Sequence, residues 1–316
     1  MVKSTRGAVS QNRAVPVPAF LEVQTTKVQG NVFLLVGAGA NVVVQTGEQG
    51  VLLVDTGRKE RSAKMIEAVR KLSSKPIRWI LNTSAGSDHV GGNEGVANVA
   101  GSSKHVELVN TPFGGADQTV EIVANDTVLS RMSSPDGNAP AYPSEAWPTE
   151  TFISNNDEVF FNNEPVVMMH APAAHSDGDS LVFFRRSDVI ATGDLFDADH
   201  YPVIDLAHGG SLQGIINGLN HVIDLAIPAF SEEGGTMIVP GHGRICDEID
   251  VVEYRDMLTI VRDRLQAMIK KGMTLEQIKA ARPTLDYDPL YGATSGSWTT
   301  DMFVEKAYKS LTARSR

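Results

Sequence analysis

The segment between residues 51 and 81 has the pattern of a strand, an amphipathic helix and a second strand. Residues 51–55 (VLLVD) and residues 77–81 (IRWIL) are short apolar runs. Between them, residues 58–72 carry apolar side chains at helical spacing, with Arg and Lys on the opposite face. A strand, a helix and a strand in this order form a crossover unit, and the apolar strands are typical of a sheet covered on both faces. The segment therefore predicts an α/β fold.

Other short apolar runs predict further strands on both sides of this unit. Residues 31–37 and 41–45 are separated by Gly-Ala-Gly, which indicates a hairpin. A second helical stripe occupies residues 210–227. The later strand-like runs are residues 158–161, 165–170, 180–184, 188–192 and 237–240.

Near residue 250 the strand-like sequence patterns end and helical patterns begin. Residues 254–269 keep an apolar stripe at helical spacing, and Gly272 stands where a glycine would end that helix. Residues 274–277 (TLEQ) fit a capping box that starts a second helix, which ends before Pro283. A last short helix is predicted over residues 301–311.

These patterns predict three regions. Residues 1–18 are a flexible lead-in, residues 19–250 are the main domain, and residues 251–316 are a helical extension packed on it. Residues 133–148 hold four prolines and are predicted to be an irregular surface excursion. The apolar stripe of the extension needs a partner, either the main domain or a second subunit, so a homo-oligomer through these helices is one of two expectations.

Composition and charge exclude several classes of protein. The net charge of -10, without a Lys/Arg-rich run, argues against a nucleic-acid partner. No apolar run reaches the roughly 18 residues of a membrane span. The single Cys246 excludes an intramolecular disulfide and a multi-thiolate metal cage. Residues 1–20 lack the apolar stretch of a signal peptide, which indicates a cytoplasmic protein unless a leader has been removed from it.

Polar side chains that can bind a metal follow several predicted strands. Asp88 and His89 come after the strand at 77–81, and His175, Asp194 and His242 come after three later strands. Loops beyond strand ends are where ligands bind in α/β sheets. Taken singly, each residue is more often a helix cap or a turn former. Together, three imidazoles and two carboxylates predict a metal site for zinc, iron or manganese.

The same segments resemble the metallo-β-lactamase fold superfamily over most of residues 31–248. Residues 51–57 (VLLVDTG) are similar to its early strand and Asp-Thr-Gly turn, and residues 82–93 (NTSAGSDHVGGN) to its Thr-His-x-His-x-Asp-His-x-Gly-Gly segment. His175, Asp194 in Gly-Asp-Leu-Phe and His242 in Pro-Gly-His-Gly match three later motifs. The resemblance implies an αββα sandwich, with two mixed sheets face to face, helices outside and the site at the strand ends of one edge.

Two positions depart from the pattern of this superfamily. Ser84 and Gly86 stand where the first two histidines of the signature are expected. In complete members those histidines and the His175 equivalent hold a first metal, while the equivalents of Asp88, His89 and His242 hold a second, and the Asp194 equivalent bridges the two. Neither serine nor glycine replaces imidazole as a zinc ligand. The resemblance therefore implies one divalent metal, zinc before iron or manganese, at the second site.

Three functions are compatible with such a site. The first is a metal-dependent hydrolase of a small molecule carrying an ester, lactone, amide or similar bond, in which Asp88 or Asp194 orients water and His175 acts as acid or base. The second is an inactive or ligand-binding descendant, whose remaining residues bind a metal structurally or bind none. The third, which we favour least, is a non-haem iron redox enzyme.

Overall fold

A computed structural model describes residues 22–100, 120–134, 141–230 and 234–313, and it shows two β-sheets with helices on their outer faces. The predicted lead-in, residues 1–18, lies outside the described residues, as does the 135–140 part of the predicted excursion. Within the described residues, no helix is both long enough and apolar enough to cross a membrane.

The first sheet has its strands in the order of the sequence. The first four form an antiparallel meander, and the last three add on in parallel. In the described part of the chain its strands are β1 (Gln24–Gln29), β2 (Val32–Val36), β3 (Val42–Gly47), β4 (Gly50–Val54), β5 (Ile77–Leu81), β6 (Glu121–Asn125) and β7 (Glu150–Phe152).

The second sheet is antiparallel across four strands, and its last strand runs parallel to the fourth. In sequence order these described strands are β8 (Asn156–Phe161), β9 (Glu164–His170), β10 (Ser180–Phe184), β11 (Val189–Ala191) and β12 (Met237–Val239).

Helices follow or separate these strands. The described helices are α1 (Ser62–Leu72), α2 (Ser87–Val90), α3 (Asn93–Ala100), α4 (Asp126–Ser133), α5 (Leu212–Leu225), α6 (Glu248–Lys270), α7 (Leu275–Ala280), α8 (Asp288–Tyr291) and α9 (Thr300–Thr312).

The side chains of β4 show how the layers form. Leu52 and Val54 point between the two sheets, whereas Val51 and Leu53 pack under α1 and α3 on the outer face of the first sheet. All four are almost fully buried, as expected for a strand covered on both faces. A third cluster lies on the outer face of the second sheet, where α5 and α6 pack. The predicted αββα sandwich is confirmed.

Several predicted elements differ in their bounds, and some were missed. The helix predicted from residue 58 begins at Ser62, after a 3₁₀ turn at Lys59–Arg61. In its described parts, 133–134 and 141–148, the predicted excursion is more ordered than expected, because Ser133 ends α4 and Ala146 is buried. The elements that the sequence patterns did not predict are β1, β6, β7, α2, α3, α4 and α8.

The C-terminal helices contribute to the same hydrophobic cluster as the second sheet. Phe303 of α9 is fully buried and stacks on Tyr201 at a centroid distance of 4.6 Å. Tyr254 of α6 is buried beside them, and its hydroxyl donates to the carbonyl of His200. Gly272 follows α6 with a φ of +76°, and the capping box at Thr274 is present. The predicted boundary at residue 250 stays a prediction.

Truncating Phe303 measures how much the fold depends on these helices. We expect Phe303→Ala to lower the free energy of unfolding by about 3–5 kcal/mol, because a large buried ring is lost and a cavity remains. Met302→Ala is the matched control on the same helix, since Met302 is 41% exposed, and its effect should stay within about 0.5 kcal/mol. Urea unfolding measures both. Two separate transitions, with only one of them shifted, would contradict a shared core.

Candidate metal centre

The polar side chains named from the sequence meet where strands of both sheets end. In the second sheet, β9, β11 and β12 run in one direction, so the loops after them reach the same edge. These loops carry His175, Asp194 and His242. In the first sheet, β4 and β5 are parallel, and they are followed by Asp55 and by the segment 82–93. The site therefore lies at one end of the sandwich, between the two sheets.

Asp55, which follows β4, orients His89. Its backbone has a φ of +60°, a conformation that costs a non-glycine residue about 1–3 kcal/mol. Its Oδ1 accepts the backbone N–H of Thr83 at 2.9 Å, and its Oδ2 accepts the Thr83 hydroxyl at 2.6 Å and His89 Nδ1 at 2.7 Å. Because Nδ1 donates to Asp55, His89 presents Nε2 to the site. Sequence reasoning placed Asp55 in a turn motif and missed this role.

Buried polar contacts hold the loop that carries Asp88 and His89. The Thr56 hydroxyl donates to Asn93 Oδ1 at 2.8 Å, and Asn93 Nδ2 donates to Asn82 Oδ1 at 2.8 Å. The backbone N–H of Thr56 also donates to the carbonyl of His89 at 2.7 Å. A Cβ at Gly92 would lie 2.4 Å from the Thr56 carbonyl. The turn after β4 and the loop after β5 are thus packed into one unit.

Asp88, His89 and His242 form a group that can hold a metal ion. One ligand atom from each lies within 4.8 Å of the others, and His242 Nε2 is 3.5 Å from Asp88 Oδ2. Atoms that share a tetrahedral zinc at about 2.0–2.1 Å lie about 3.3 Å apart. The distance between Asp88 and His242 is close to this value, and two imidazoles and a carboxylate are donors that suit zinc. His242 differs from His89, because its Nδ1 has no hydrogen-bond partner among the described residues and its side chain is 37% exposed.

Asp194 lies beside this group and turns its two oxygens to different sides. Oδ1 is 3.0 Å from His89 Nε2 and 3.8 Å from His242 Nε2. Oδ2 accepts the Ser84 hydroxyl at 3.4 Å and lies 3.5 Å from His175 Nδ1. Gly193, with a φ of +52°, is needed before it, because a Cβ there would lie 2.4 Å from Thr83 Oγ1.

His175 reaches the site but is not part of the group of three. Its Nδ1 lies 3.5 Å from both Asp194 and Asp179. Asp179 is buried and is held by the backbone N–H and the hydroxyl of Ser176, at 2.6 and 2.7 Å. No described residue forms a hydrogen bond with Nε2 of His175. That nitrogen is available to a ligand.

The charges of the buried groups stabilise each other. Burial lowers the pKa of His89, but the carboxylates of Asp194 and Asp55 outweigh it and raise the pKa well above its usual value. Burial raises the pKa of Asp194, but His89 and His175 outweigh it and hold the pKa far below its usual range. In the metal-free chain, protonated imidazoles therefore balance the carboxylates.

Burial and neighbouring charges also have opposite effects on the pKa values of His175, His242 and Asp88. The pKa of His175 rises to about 9, because Asp194 and Asp179 outweigh the effect of burial, which lowers it. Burial also lowers the pKa of His242, but its hydrogen bond with Asp88 and the charge of Asp194 raise it overall. The hydrogen bond from His242 lowers the pKa of Asp88. A divalent cation at this site displaces protons from the imidazoles that bind it.

Ser84 and Gly86 occupy the side of Asp194 where the first two histidines of the signature were expected. Neither provides an imidazole. The φ of Gly86 is -60°, which any residue can adopt, so the backbone does not require glycine there. The small side chains leave a cavity of about 530 Å³ that is lined by both residues and by His175.

Three further histidines near the site segments, and the cysteine, lie in structural contacts. His170 Nε2 is 2.7 Å from the Asp177 carbonyl, and His208 Nδ1 is 2.5 Å from Asp205 Oδ2. His200 Nδ1 lies 3.3 Å from an Asp197 oxygen. Cys246 is 3% exposed and belongs to the cluster on the outer face of the second sheet.

Comparisons with known proteins identify the family and the fold. The family model of the metallo-beta-lactamase superfamily matches residues 26–243. The fold is similar to the sec-alkylsulfatase Pisa1 from Pseudomonas sp., with a TM-score of 0.66 and 14% identity over 91% of this chain and 50% of that one. It is also similar to a metallo-beta-lactamase from Pontibacter korlensis, with a TM-score of 0.57 and 14% identity over 75% of this chain and 99% of that one.

Because the family match covers more than half of the chain, the chain belongs to the metallo-beta-lactamase superfamily. It spans about half the length of the alkylsulfatase. At these identities the structural similarity establishes the fold alone. No curated protein sequence matches the chain.

Replacing Asp55 tests whether it positions His89 for a metal. We expect Asp55→Asn to weaken zinc binding about 10–100-fold, because an amide cannot accept all three hydrogen bonds that the carboxylate accepts. Competition against a chromophoric chelator measures the affinity. Asp263→Asn, an exposed change on α6, is the control. Equal affinities in the wild type and Asp55→Asn would show that Asp55 has no such role.

Proposed function

We propose that the chain is a metal-dependent hydrolase with one divalent metal, bound by Asp88, His89 and His242 with Asp194 beside them. The observation that carries the proposal is the convergence of these three ligand atoms within 4.8 Å. Ser84 and Gly86 support a single metal, because they provide no imidazole on the other side of Asp194.

Zinc is the metal that the donor set favours. Two imidazole nitrogens and one carboxylate oxygen suit zinc, while iron and manganese accept the same ligands. When bound, the ion polarises the bond to be cleaved and makes water acidic enough to react near neutral pH. The Asp55 contact supports this role, since a buried carboxylate that fixes the tautomer of a ligating histidine is a common feature of metal sites.

Asp88 and His175 are the proposed acid–base residues. Asp88 is partly exposed and lines a second cavity together with Asp194 and His242. In that cavity Asp88 can orient a water molecule and accept its proton. His175 holds Nδ1 toward Asp179 and Asp194 and leaves Nε2 without a partner in the described chain. Nε2 can therefore donate a proton to a leaving group on the cavity side.

The names of the similar structures support hydrolysis without choosing a substrate. One is an alkylsulfatase and the other a beta-lactamase. The proposed reaction class for this chain is attack of water on an ester, lactone, amide or similar bond.

Substitution of one ligand tests the proposal. The zinc-loaded wild type should hydrolyse members of a panel of p-nitrophenyl esters, lactones and thioesters. His242→Ala or His89→Ala should abolish both zinc binding and hydrolysis, because two ligands do not retain the ion. Ser84→Ala should keep its zinc, since serine is not a ligand. Elemental analysis and initial rates provide the two measurements. Equal zinc content in His242→Ala and the wild type, or hydrolysis by both without metal, would refute the proposal.

A further inference from the structure

The second cavity, which adjoins the candidate metal centre, carries an exposed apolar side chain. Its volume is about 400 Å³, within the roughly 300–1,000 Å³ of small-molecule sites. Val203 lines it and is 44% exposed, whereas the flanking Pro202 and Ile204 are buried. Apart from Pro202 and Val203, the described residues that line this cavity are polar or glycine. Val203 therefore provides most of the apolar surface that a ligand in this cavity can contact.

Val203 belongs to a segment, residues 197–205, that is attached to the site at both ends. At the first end, Asp197 forms a β-bridge with His242, and the backbone N–H of Ala198 donates to the His242 carbonyl at 3.2 Å. At the other end, the backbone N–H of Asp205 donates to the carbonyl of His175 at 2.8 Å. A substrate whose reacting bond lies at the metal centre would therefore place an adjoining group near this segment.

The middle of the segment is held by the C-terminal helices. The backbone N–H of Tyr201 donates to the carbonyl of Tyr291, the last residue of α8, at 3.2 Å. The Tyr201 carbonyl accepts the indole N–H of Trp298, which lies between α8 and α9, at 3.0 Å. The Tyr201 hydroxyl donates to the carbonyl of Thr284 at 3.2 Å. The C-terminal extension thus fixes the backbone two residues before Val203.

This attachment distinguishes Val203 from other exposed apolar residues. Single exposed valines are common on protein surfaces and need no explanation by themselves. Val203, however, lies in a segment that is bonded to two site histidines and to the extension. An apolar group that contacts it leaves water, which is favourable. Because the segment is already held in place, little conformational freedom is lost when such a group binds.

We propose that Val203 receives an apolar group of the substrate next to the reacting bond, and that Trp298 is a positioning residue that holds Val203 in place. The inference rests on the proposed function, since it assigns the reacting bond to the metal centre. The substrate class is then an ester, lactone or amide with an alkyl or aryl group beside the carbonyl. The extension, which lies beyond the family match at residues 26–243, thereby contributes to substrate selection.

Two esters with the same leaving group test the role of Val203. p-Nitrophenyl hexanoate differs from p-nitrophenyl acetate only in having a longer alkyl chain. With the zinc-loaded wild type, kcat/KM should be about tenfold or more higher for the hexanoate, and Val203→Ser should reduce this ratio about threefold or more. Val99→Ser, at a 52% exposed valine outside the cavity lining, should keep the ratio. Equal ratios in Val203→Ser and the wild type, or no preference for the hexanoate, would overturn the inference.

The role of Trp298 is tested with the same two esters. Trp298→Phe keeps an aromatic ring but removes the N–H that donates to the Tyr201 carbonyl. It should reduce the hexanoate-to-acetate ratio about threefold or more, through a higher KM for the hexanoate, because Val203 is less well positioned. The zinc content should equal that of the wild type, since the ligands belong to the sandwich. A fall in kcat for both esters alike, or an unchanged ratio, would contradict the positioning role.

A binding measurement separates this inference from the proposed function. NMR titration compares hexanamide with acetamide and requires neither turnover nor a metal. If no ester is hydrolysed, the proposed function fails, but stronger binding of hexanamide by the wild type than by Val203→Ser still supports the role of Val203. Thermal unfolding confirms that the variants are folded. Equal binding of hexanamide by the two proteins, or no binding by the wild type, contradicts the inference.

Discussion

The chain of contacts from Asp55 through His89 to Asp194 connects the ends of the two sheets. Asp55 follows β4 and His89 follows β5, both in the first sheet, whereas Asp194 follows β11 in the second. His89 is fully buried and contacts one carboxylate through each ring nitrogen, at 2.7 and 3.0 Å. A buried imidazole between two carboxylates is costly to leave unpaired. The same contacts that join the sheets at this end therefore fix the direction of His89 Nε2.

Much of the fold could be predicted from the sequence, because the central strands are apolar on both faces. VLLVD and IRWIL predicted β4 and β5. β1 was missed because its sequence, QTTKVQ, is polar and mostly exposed, so it has no apolar alternation. α3 was missed because NEGVANVA is short and contains Gly95, which packs so closely on α1 that a Cβ would lie 2.8 Å from Ser62 Oγ.

The candidate site could be predicted only in part. The sequence predicted that the five residues follow strands, because the strands are apolar runs. The directions of the strands, which bring these strand ends to one end of the sandwich, come from the structure. The role of Asp55 depends on a positive φ and on contacts with Thr83 and His89, and spacing alone does not reveal either. The cavity that borders Ser84 could not be predicted, because part of its wall comes from α4, a helix that the patterns did not predict.

The number of metal ions per chain tests the central claim most directly. Elemental analysis of the wild type, purified without chelator and dialysed after incubation with zinc, should give one equivalent per chain, because Asp88, His89 and His242 provide one set of ligands. Two equivalents would show that the side of Asp194 next to Ser84 and Gly86 also holds a metal. No bound metal would contradict the account, and the resemblance of this site to a metal centre would then be one of shape only.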